Sequence, residues 1–132
     1  SLGRIGTLPA PVAIDDFAHS VCKRLGVSHV RLVRVADRPV RRVAVVGGAG
    51  AEFIDTAVRR GADVYVTGDV KYHEAQRAAE QGMHLIDAGH FGTERPVLPV
   101  LADLLRTELA AEHGTVEILV TETQRDVFDV IL

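Results

Sequence analysis

Apolar residues along the chain follow two periods in alternation, one typical of strands and one typical of helices. Three short stretches are apolar without interruption, namely Val43–Val46, Val64–Val66 and Leu85–Ile86. Uninterrupted apolar runs of this length are typical of strands that are covered on both faces, as in a parallel sheet. Helical periods lie between these runs. The alternation therefore predicts an α/β fold, a three-layer sandwich with a mainly parallel sheet and helices on both faces.

Four helices are predicted from the spacing of apolar residues and from the residues at the helix ends. A glycine follows close behind each of the four apolar patterns, and glycine is the residue that most often terminates a helix. The predicted helices are Asp15–Leu25, Ala51–Arg60, Lys71–Gln81 and Arg95–Glu112.

The remaining segments are predicted to be strands or irregular structure. Val30–Val35 alternates apolar residues with arginines, which predicts a half-buried strand. Val116–Val120 is predicted as a further strand, and Val127–Leu132 as a short terminal one. The first twelve residues contain two glycines and two prolines, so we expect an irregular lead-in there.

The bulk composition is that of one ordinary globular domain of 132 residues, with 47% apolar and 25% charged residues. The net charge of −3 has no basic block, so we expect no nucleic-acid partner. No apolar run approaches the ~20 residues that a membrane helix needs, so we expect no membrane partner. The single cysteine, Cys22, permits no internal disulfide, and we expect a reducing, cytoplasmic location.

Glycine and polar residues follow each of the three apolar strands. The endings are Gly47-Gly48, Gly68-Asp69 and Asp87–His90. Because the carboxyl ends of parallel strands lie at one edge of a sheet, and ligands bind in the crevice outside that edge, these residues are candidates for a common site. The residues expected to line this crevice are Gly48, Asp69, His73, Asp87, His90 and Glu94.

His90 and Glu94 are the candidate metal ligands. They are four residues apart at a strand-to-helix turn, a spacing that places an imidazole nitrogen and a carboxylate on the same side. A solvated pair, or a pair that only supports other ligands, has the same spacing and stays open as the alternative. Asp69 or Asp87 could supply a third oxygen, and Asp87 is the candidate acceptor for the second ring nitrogen of His90.

Asp69 and His73 form a second pair four residues apart. Asp69 is expected to cap the N-terminus of the helix that begins at Lys71, and His73 then faces either the crevice or the solvent. The glycine-rich segment 47–50 lacks both the G-x-G-x-x-G spacing and the lysine of a phosphate-binding loop. It is interpreted as a tight turn that allows close approach to the backbone.

At these strand ends the chain resembles a known family. The segments that carry the resemblance are Gly3–Gly6, Val43–Gly50, Thr67–Asp69 with Tyr72-His73, and Leu85–Glu94. Together they look like the C-terminal half of the dinuclear-metal proteins called GTP cyclohydrolase 1 type 2 homologs, a family also named after a yeast transcription-factor interactor. The resemblance covers nearly the whole chain.

The resemblance implies one half of a duplicated α/β fold, with residues 1–132 as a single domain and the N-terminal half of the same protein as its partner. It implies two divalent metal ions per intact site, held between the halves, and a homo-oligomer that is a hexameric ring. An adjacent His-His pair and an Asp would come from the first half, and His90 and Glu94 from the second. Zinc, manganese and iron suit such ligands about equally.

Two features depart from the family pattern. The chain contains no adjacent pair of histidines, so the ligands of the first half lie outside it, and we expect this segment alone to be inactive and to bind metal weakly. Where the family has a Thr-Asp-Pro-aromatic segment, this chain has Arg125–Phe128.

Two functional hypotheses follow from the resemblance. The first is a metal-dependent hydrolase in which a metal-bound water attacks a small nucleotide-like or heterocyclic substrate. The second is a non-catalytic protein that binds metal or serves assembly and docking. The sequence does not identify the substrate, the native metal or the size of the ring.

Overall fold

The structure, a computed structural model, describes residues 2–113 and 116–131. In these residues five strands form one mixed sheet in the order β1-β3-β4-β5-β2. The central strands β3, β4 and β5 are parallel, and the two edge strands are antiparallel to their neighbours. The strands are β1 (Arg4–Val12), β2 (Arg31–Val33), β3 (Val40–Ala49), β4 (Val64–Gly68) and β5 (His84–Asp87).

The parallel centre of the sheet contains the three uninterrupted apolar runs, which confirms that prediction. In its register, Val43 of β3 lies beside Val64 of β4, and Val64 lies beside His84 of β5. Every residue of β4 and β5 is buried. A strand that has neighbours on both sides and helices on both faces has no solvent-facing positions, and this is why its sequence does not alternate.

Helices cover both faces of this sheet, as predicted. On one face, Phe17 and Val21 of the first helix pack against Val64 and Ile86. On the other face, Ile54 lies among Tyr65 and its neighbours. Each such side chain contributes about 1.5–3 kcal/mol by its burial. The helices are α1 (Ile14–Leu25), α2 (Ile54–Arg59, preceded by a 3₁₀ turn at Ala51–Phe53), α3 (Tyr72–Glu80), α4 (His90–Glu94) and α5 (Val97–His113).

The expectation of an irregular lead-in is wrong, because residues 4–12 form strand β1. Proline is tolerated in an edge strand, where one row of N–H groups has no partner strand. The pairing of β1 with β3 shifts between Thr7 and Val12, and Pro9 and Pro11 lie within this irregular stretch. The glycines and prolines therefore mark an edge strand with a bulge.

The two strands predicted after residue 115 are absent from the described residues 116–131. A strand needs a partner backbone, and no described strand pairs with this segment. Residue 132, which belongs to the second of these predictions, lies outside the described residues. Instead of joining the sheet, part of this segment, Gln124–Phe128, lines a cavity next to α4.

The helix predicted from Arg95 to Glu112 corresponds to α5, and the short α4 before it is an additional helix that the sequence does not predict. The short α4 ends at Glu94, and α5 begins at Val97. Pro99 lies in the first turn of α5, where a missing N–H costs little because it would have no partner in the helix. No helix in the described ranges is long and apolar enough to span a bilayer.

Candidate metal centre

The loops that follow β3, β4 and β5 meet at the carboxyl edge of the sheet. The loops after β4 and β5 touch backbone to backbone, since a Cβ on Gly68 would lie 2.6 Å from the carbonyl carbon of Gly89. A residue larger than glycine would push these loops apart. The structure thereby brings Gly48, Asp69, His90 and Glu94 together, as the shared-edge argument predicts.

His90 stands between two carboxylates. Its Nδ1 lies 2.7 Å from Oδ2 of Asp69, and its Nε2 lies 3.1 Å from Oε1 of Glu94. His90 is the first residue of α4 and Glu94 is the last, so the helix itself places the two side chains one turn apart on one face. The three side chains remain about half exposed, at 48%, 52% and 57% for His90, Asp69 and Glu94. The site is therefore accessible to a ligand.

Asp69 reaches His90 from a left-handed backbone conformation. Its φ of +55° is the one positive value at a non-glycine position in the described residues. This conformation costs most residues about 1–2 kcal/mol, and aspartate and asparagine tolerate it best. The expectation that Asp69 caps α3 is wrong. Lys71 is the N-cap residue, and its N–H donates to the carboxylate of Glu74 at 2.7 Å.

Gly48 forms the floor beneath the ligand pair. A Cβ at this position would lie 2.5 Å from Oε1 of Glu94 and 3.2 Å from Nε2 of His90, and its φ is +68°. The N–H of Gly48 donates to the hydroxyl of Thr93 at 2.8 Å. This N–H is therefore already bonded within the protein. The expectation of a tight turn at 47–50 is wrong, because residues 47–49 are the end of strand β3, but the close approach to the backbone that the glycines allow is confirmed at Gly48.

Asp87 holds the two loops in place from below. Its Oδ2 accepts the N–H of Val70 and its Oδ1 accepts the N–H of Gly89, both at 3.0 Å. The guanidinium of Arg31 also donates to Oδ2. Asp87 is only 6% exposed and its oxygens are engaged, so it does not hold the ring of His90. The expectation that it accepts from the second ring nitrogen is wrong, and Asp69 contacts that nitrogen instead.

His73 lies away from this arrangement. Its side chain is exposed on α3, with its ring 6.5 Å from that of Tyr72 in an edge-on arrangement. It is not among the residues that line the cavity containing His90.

Two contributors to the site were not found from the sequence. Arg31 faces Asp87 across the antiparallel pair β2 and β5, and its guanidinium also donates to the carbonyl of Val70 at 2.8 Å. Thr93 links α4 to the end of β3 by accepting the N–H of Gly48. The alternation around Arg31 indicates a half-buried strand but not its neighbour, so no local signal pairs Arg31 with Asp87.

The electrostatic setting favours the protonated ring of metal-free His90. Its hydrogen bond with Asp69 raises the pKa of His90 above the ordinary value of 6.5, and the charge of Glu94 adds to this effect, while desolvation opposes it. The negative charges of the two carboxylates attract a cation to the imidazole of His90. That cation can be a proton on the ring or a metal ion bound to it.

A cavity of about 940 Å³ opens beside these residues. One wall is formed by α4 and the start of α5, and the other by Gln124–Phe128. This size is within the range of small-molecule binding pockets, about 300–1,000 Å³.

The donor atoms of His90 and Glu94 have the separation that the metal ions implied by the family resemblance require. Two ligands that each lie about 2.1 Å from one ion, at an angle of 90–109°, are themselves about 3.0–3.4 Å apart. The 3.1 Å between Nε2 of His90 and Oε1 of Glu94 fits this requirement. Within residues 2–113 and 116–131, no three His, Cys, Asp or Glu side chains are grouped to hold one ion. The chain itself thus offers two ligands, fewer than a complete site needs.

Comparison with known proteins agrees with this architecture. The family model of Duf34/NIF3 (NGG1p interacting factor 3) matches residues 1–127. The chain belongs to the Duf34/NIF3 family. A relative from Bacillus subtilis, named GTP cyclohydrolase 1 type 2 homolog, is 39% identical over 127 residues, which are 96% of this chain and 34% of that protein. The family resemblance seen in the sequence is thereby confirmed.

Two solved structures have the same fold as this chain. The Bacillus cereus protein related to NIF3 matches with a TM-score of 0.94 and 36% identity, over 99% of this chain and 36% of that one. Reduced HcgD from Methanocaldococcus jannaschii matches with a TM-score of 0.67 and 26% identity, over 83% of this chain and 44% of that one. The α/β fold class is therefore shown. The chain spans about a third of the length of its Bacillus relatives.

Proposed function

We propose that this domain supplies the histidine and glutamate ligands of a divalent-metal centre in a longer Duf34/NIF3 protein. The centre would hydrolyse a small nucleotide-like or heterocyclic substrate. The observation that carries the proposal is the line Asp69–His90–Glu94, with 2.7 Å at one ring nitrogen and 3.1 Å at the other. The name of the relatives, GTP cyclohydrolase 1 type 2 homolog, makes purine nucleotides the first substrates to test.

The ring of His90 is arranged as a metal-binding histidine requires. With its Nδ1–H donated to Asp69, the neutral ring has its lone pair on Nε2, the nitrogen that faces Glu94. A carboxylate on the distal nitrogen fixes the orientation of the ring and makes the ligating nitrogen more basic. Asp69 is therefore a positioning residue, and His90 and Glu94 are the proposed ligands.

Each residue of the site has a defined task in this proposal. His90 and Glu94 hold the cation, Asp69 holds His90, and the bare backbone of Gly48 leaves the space into which the cation fits. When bound, a divalent cation lowers the pKa of a coordinated water and polarises the bond under attack. Imidazole and carboxylate ligands suit zinc, manganese and iron.

The remaining ligands and the second ion are proposed to come from the other half of the same polypeptide. The chain contributes two ligands, whereas a catalytic zinc-like site takes about three and a dinuclear site takes more. We accordingly propose that residues 1–132 belong to the C-terminal half of the intact protein, which is cytoplasmic and assembles as a hexamer.

The second candidate, a non-catalytic assembly or docking protein, is favoured by α5. Leu98, Leu101 and Leu105 lie on one face of this helix at 36%, 45% and 39% exposure. Apolar side chains at this spacing form the contact face between packed helices. This face is compatible with an enzyme that oligomerises and with a protein whose only task is assembly.

Calorimetric titration of the full-length protein with zinc and with manganese tests the metal centre. We expect tight binding that His90→Ala and Glu94→Ala each abolish, and weak or no binding by residues 1–132 alone. His19→Ala and Glu80→Ala are matched controls, since both residues are exposed on helices and neither lines the cavity with His90. Tight binding by the isolated chain, unaffected by His90→Ala, would contradict the assignment.

Turnover separates the two candidate functions. The full-length protein, loaded with zinc or manganese, is assayed against purine and pyrimidine nucleotides, with the His90→Ala variant as the blank. Metal-dependent hydrolysis that the variant lacks supports the enzyme. Tight metal binding without turnover of any substrate favours the assembly protein.

A further inference from the structure

Two arginines that the metal centre does not use line the same cavity. Arg95 follows α4 directly, and Arg125 lies in the segment that forms the opposite wall. Both also line a neighbouring cavity of about 580 Å³, so they stand where the two cavities meet. Among the described residues, neither guanidinium has an ion pair or a side-chain hydrogen bond, and both residues are exposed.

The carboxylates around these arginines are engaged elsewhere. Asp87 is held by Arg31 and two backbone N–H groups, and Asp69 contacts His90. Asp126 accepts the N–H of Phe128 at 3.0 Å. Two further acidic side chains lie on these walls: Glu94, which contacts His90, and Glu122, which lines only the smaller cavity. Among the described residues, none of these carboxylates forms an ion pair with Arg95 or Arg125, so both guanidinium groups can bind a ligand next to His90 and Glu94.

Each arginine is accompanied by an aromatic ring. Phe91 precedes Arg95 by four residues, one helical turn, and Phe128 follows Arg125 by three residues. Both phenylalanines line both cavities, and no ring pair between them is formed in the described residues. The two walls thus each carry one apolar ring and one planar cation, with open space between them.

We propose that Arg95, Arg125, Phe91 and Phe128 form the substrate subsite for a planar heterocycle that carries a phosphate group. This inference rests on the proposed function and names its substrate class. Arginine binds phosphate through paired N–H donors, and a phenylalanine ring stacks on a flat base. The phosphate would lie against the guanidinium groups and the base between the rings, beside His90 and Glu94.

Ligand binding by the full-length protein in EDTA tests the subsite without the metal centre. The probes are GMP, guanosine and inorganic phosphate, and calorimetry measures the affinity of each. We expect GMP to bind at least about tenfold more tightly than guanosine, because arginine pairs strongly with phosphate. The double variant Arg95→Ala/Arg125→Ala should lose that advantage, and Arg95→Lys/Arg125→Lys should retain part of it. Inorganic phosphate should compete with GMP in the wild type and should not compete in the double alanine variant.

Arg41→Ala is the matched control, since Arg41 is exposed near the start of β3, away from the carboxyl edge. Phe128→Leu should weaken GMP and guanosine by a similar factor, because both share the base. Circular dichroism confirms that each variant is folded.

Metal titration of the same variants separates this inference from the proposed function. The double arginine variant should bind zinc like the wild type, and His90→Ala should bind GMP in EDTA like the wild type. If the metal centre fails while GMP still depends on the two arginines, the subsite stands alone. Equal affinity for GMP and guanosine, no binding of GMP, or unchanged binding by the double variant would overturn the subsite.

Discussion

The carboxylate of Asp69 lies 2.7 Å from Nδ1 of His90, although the two residues are 21 positions apart and follow different strands. The contact exists because β4 and β5 are parallel neighbours whose ends meet at Gly68 and Gly89. It joins a strained turn to the first residue of α4. It is the relationship on which the ligand geometry depends.

Removing this carboxylate should weaken metal binding without unfolding the protein. We expect Asp69→Ala to lower the zinc affinity of the full-length protein about 10–100-fold, the usual effect of losing the partner of a ligating histidine. Asp69→Asn tolerates the left-handed backbone and should lose less, because its carbonyl oxygen can still accept from Nδ1. Asp16→Ala, an exposed change on α1, is the control. Unchanged affinity in Asp69→Ala would show that Asp69 does not position His90.

Asp87 should be important for stability and for the site at the same time. Asp87→Ala leaves two backbone N–H groups without their acceptor, which costs about 2–4 kcal/mol in the free energy of unfolding measured in urea. It should also weaken metal binding, since the loops bearing Asp69 and His90 lose their common anchor.

Asp63→Ala is the matched control for Asp87. Asp63 also accepts two backbone N–H groups, those of Arg41 and Arg42, at 2.9 and 2.7 Å, but near the opposite end of β4. We expect a smaller loss of stability, because these two N–H groups are exposed and can bond to water instead, and we expect unchanged metal affinity. If the two variants weaken metal binding equally, the effect is one of stability and not of position.

Gly48→Ala tests the space beneath the ligand pair. The new methyl group would lie 2.5 Å from Oε1 of Glu94, and the residue would also have to adopt a φ of +68°. Gly61→Ala imposes nearly the same backbone strain, with a φ of +70°, but its methyl group meets nothing within 4 Å. Both should lose about 1–2 kcal/mol of stability. We expect only Gly48→Ala to lose zinc affinity. An equal loss in both variants would show that the space beside Gly48 is not needed for the metal ion.

The ion pair that joins α1 to the segment after β2 should depend on pH. Arg34 donates to both oxygens of Asp15, at 2.9 and 2.5 Å, and this lowers the pKa of Asp15 below its ordinary value of 3.8. Because the folded pKa is the lower one, the stabilising effect is present above about pH 3.8 and is lost as the pH falls through the folded value.

Arg34→Gln should return the pKa of Asp15 towards 3.8, measured by NMR titration of its carboxyl carbon. Arg24→Gln, an exposed arginine on α1, should leave this pKa unchanged. A titration of Asp15 that is the same in wild type and Arg34→Gln would show that the pair is not formed in solution.

The central strands of the sheet could be predicted because the pattern that identifies each of them lies within a few consecutive residues. Val64–Val66 is buried on both faces and therefore uninterrupted, whereas Val43–Val46 is only partly buried, with Val45 41% exposed. The residues that follow both runs must share an edge of the sheet. Strand β1 was missed because its prolines are compatible with an edge strand as well as with a loop. Val116–Val120 has the composition of a strand, but composition does not supply the partner that a strand requires.

The sequence predicts which residues belong to the candidate site better than it predicts which of them contact one another. His90 and Glu94 are adjacent on one helical turn, a relationship that spacing reveals. That Asp69 rather than Asp87 contacts the imidazole depends on a left-handed backbone at Asp69 and on Arg31 arriving from β2. Both are tertiary features, and the positions of these residues along the sequence do not indicate them.

Anomalous diffraction from zinc-loaded crystals of the full-length protein, recorded on both sides of the zinc edge, tests the ligand assignment most directly. We expect an anomalous peak about 2.0–2.2 Å from Nε2 of His90 and from a carboxylate oxygen of Glu94, with Asp69 still bonded to Nδ1. A fully loaded crystal in which zinc binds elsewhere, and His90 and Glu94 contact no ion, would contradict the account.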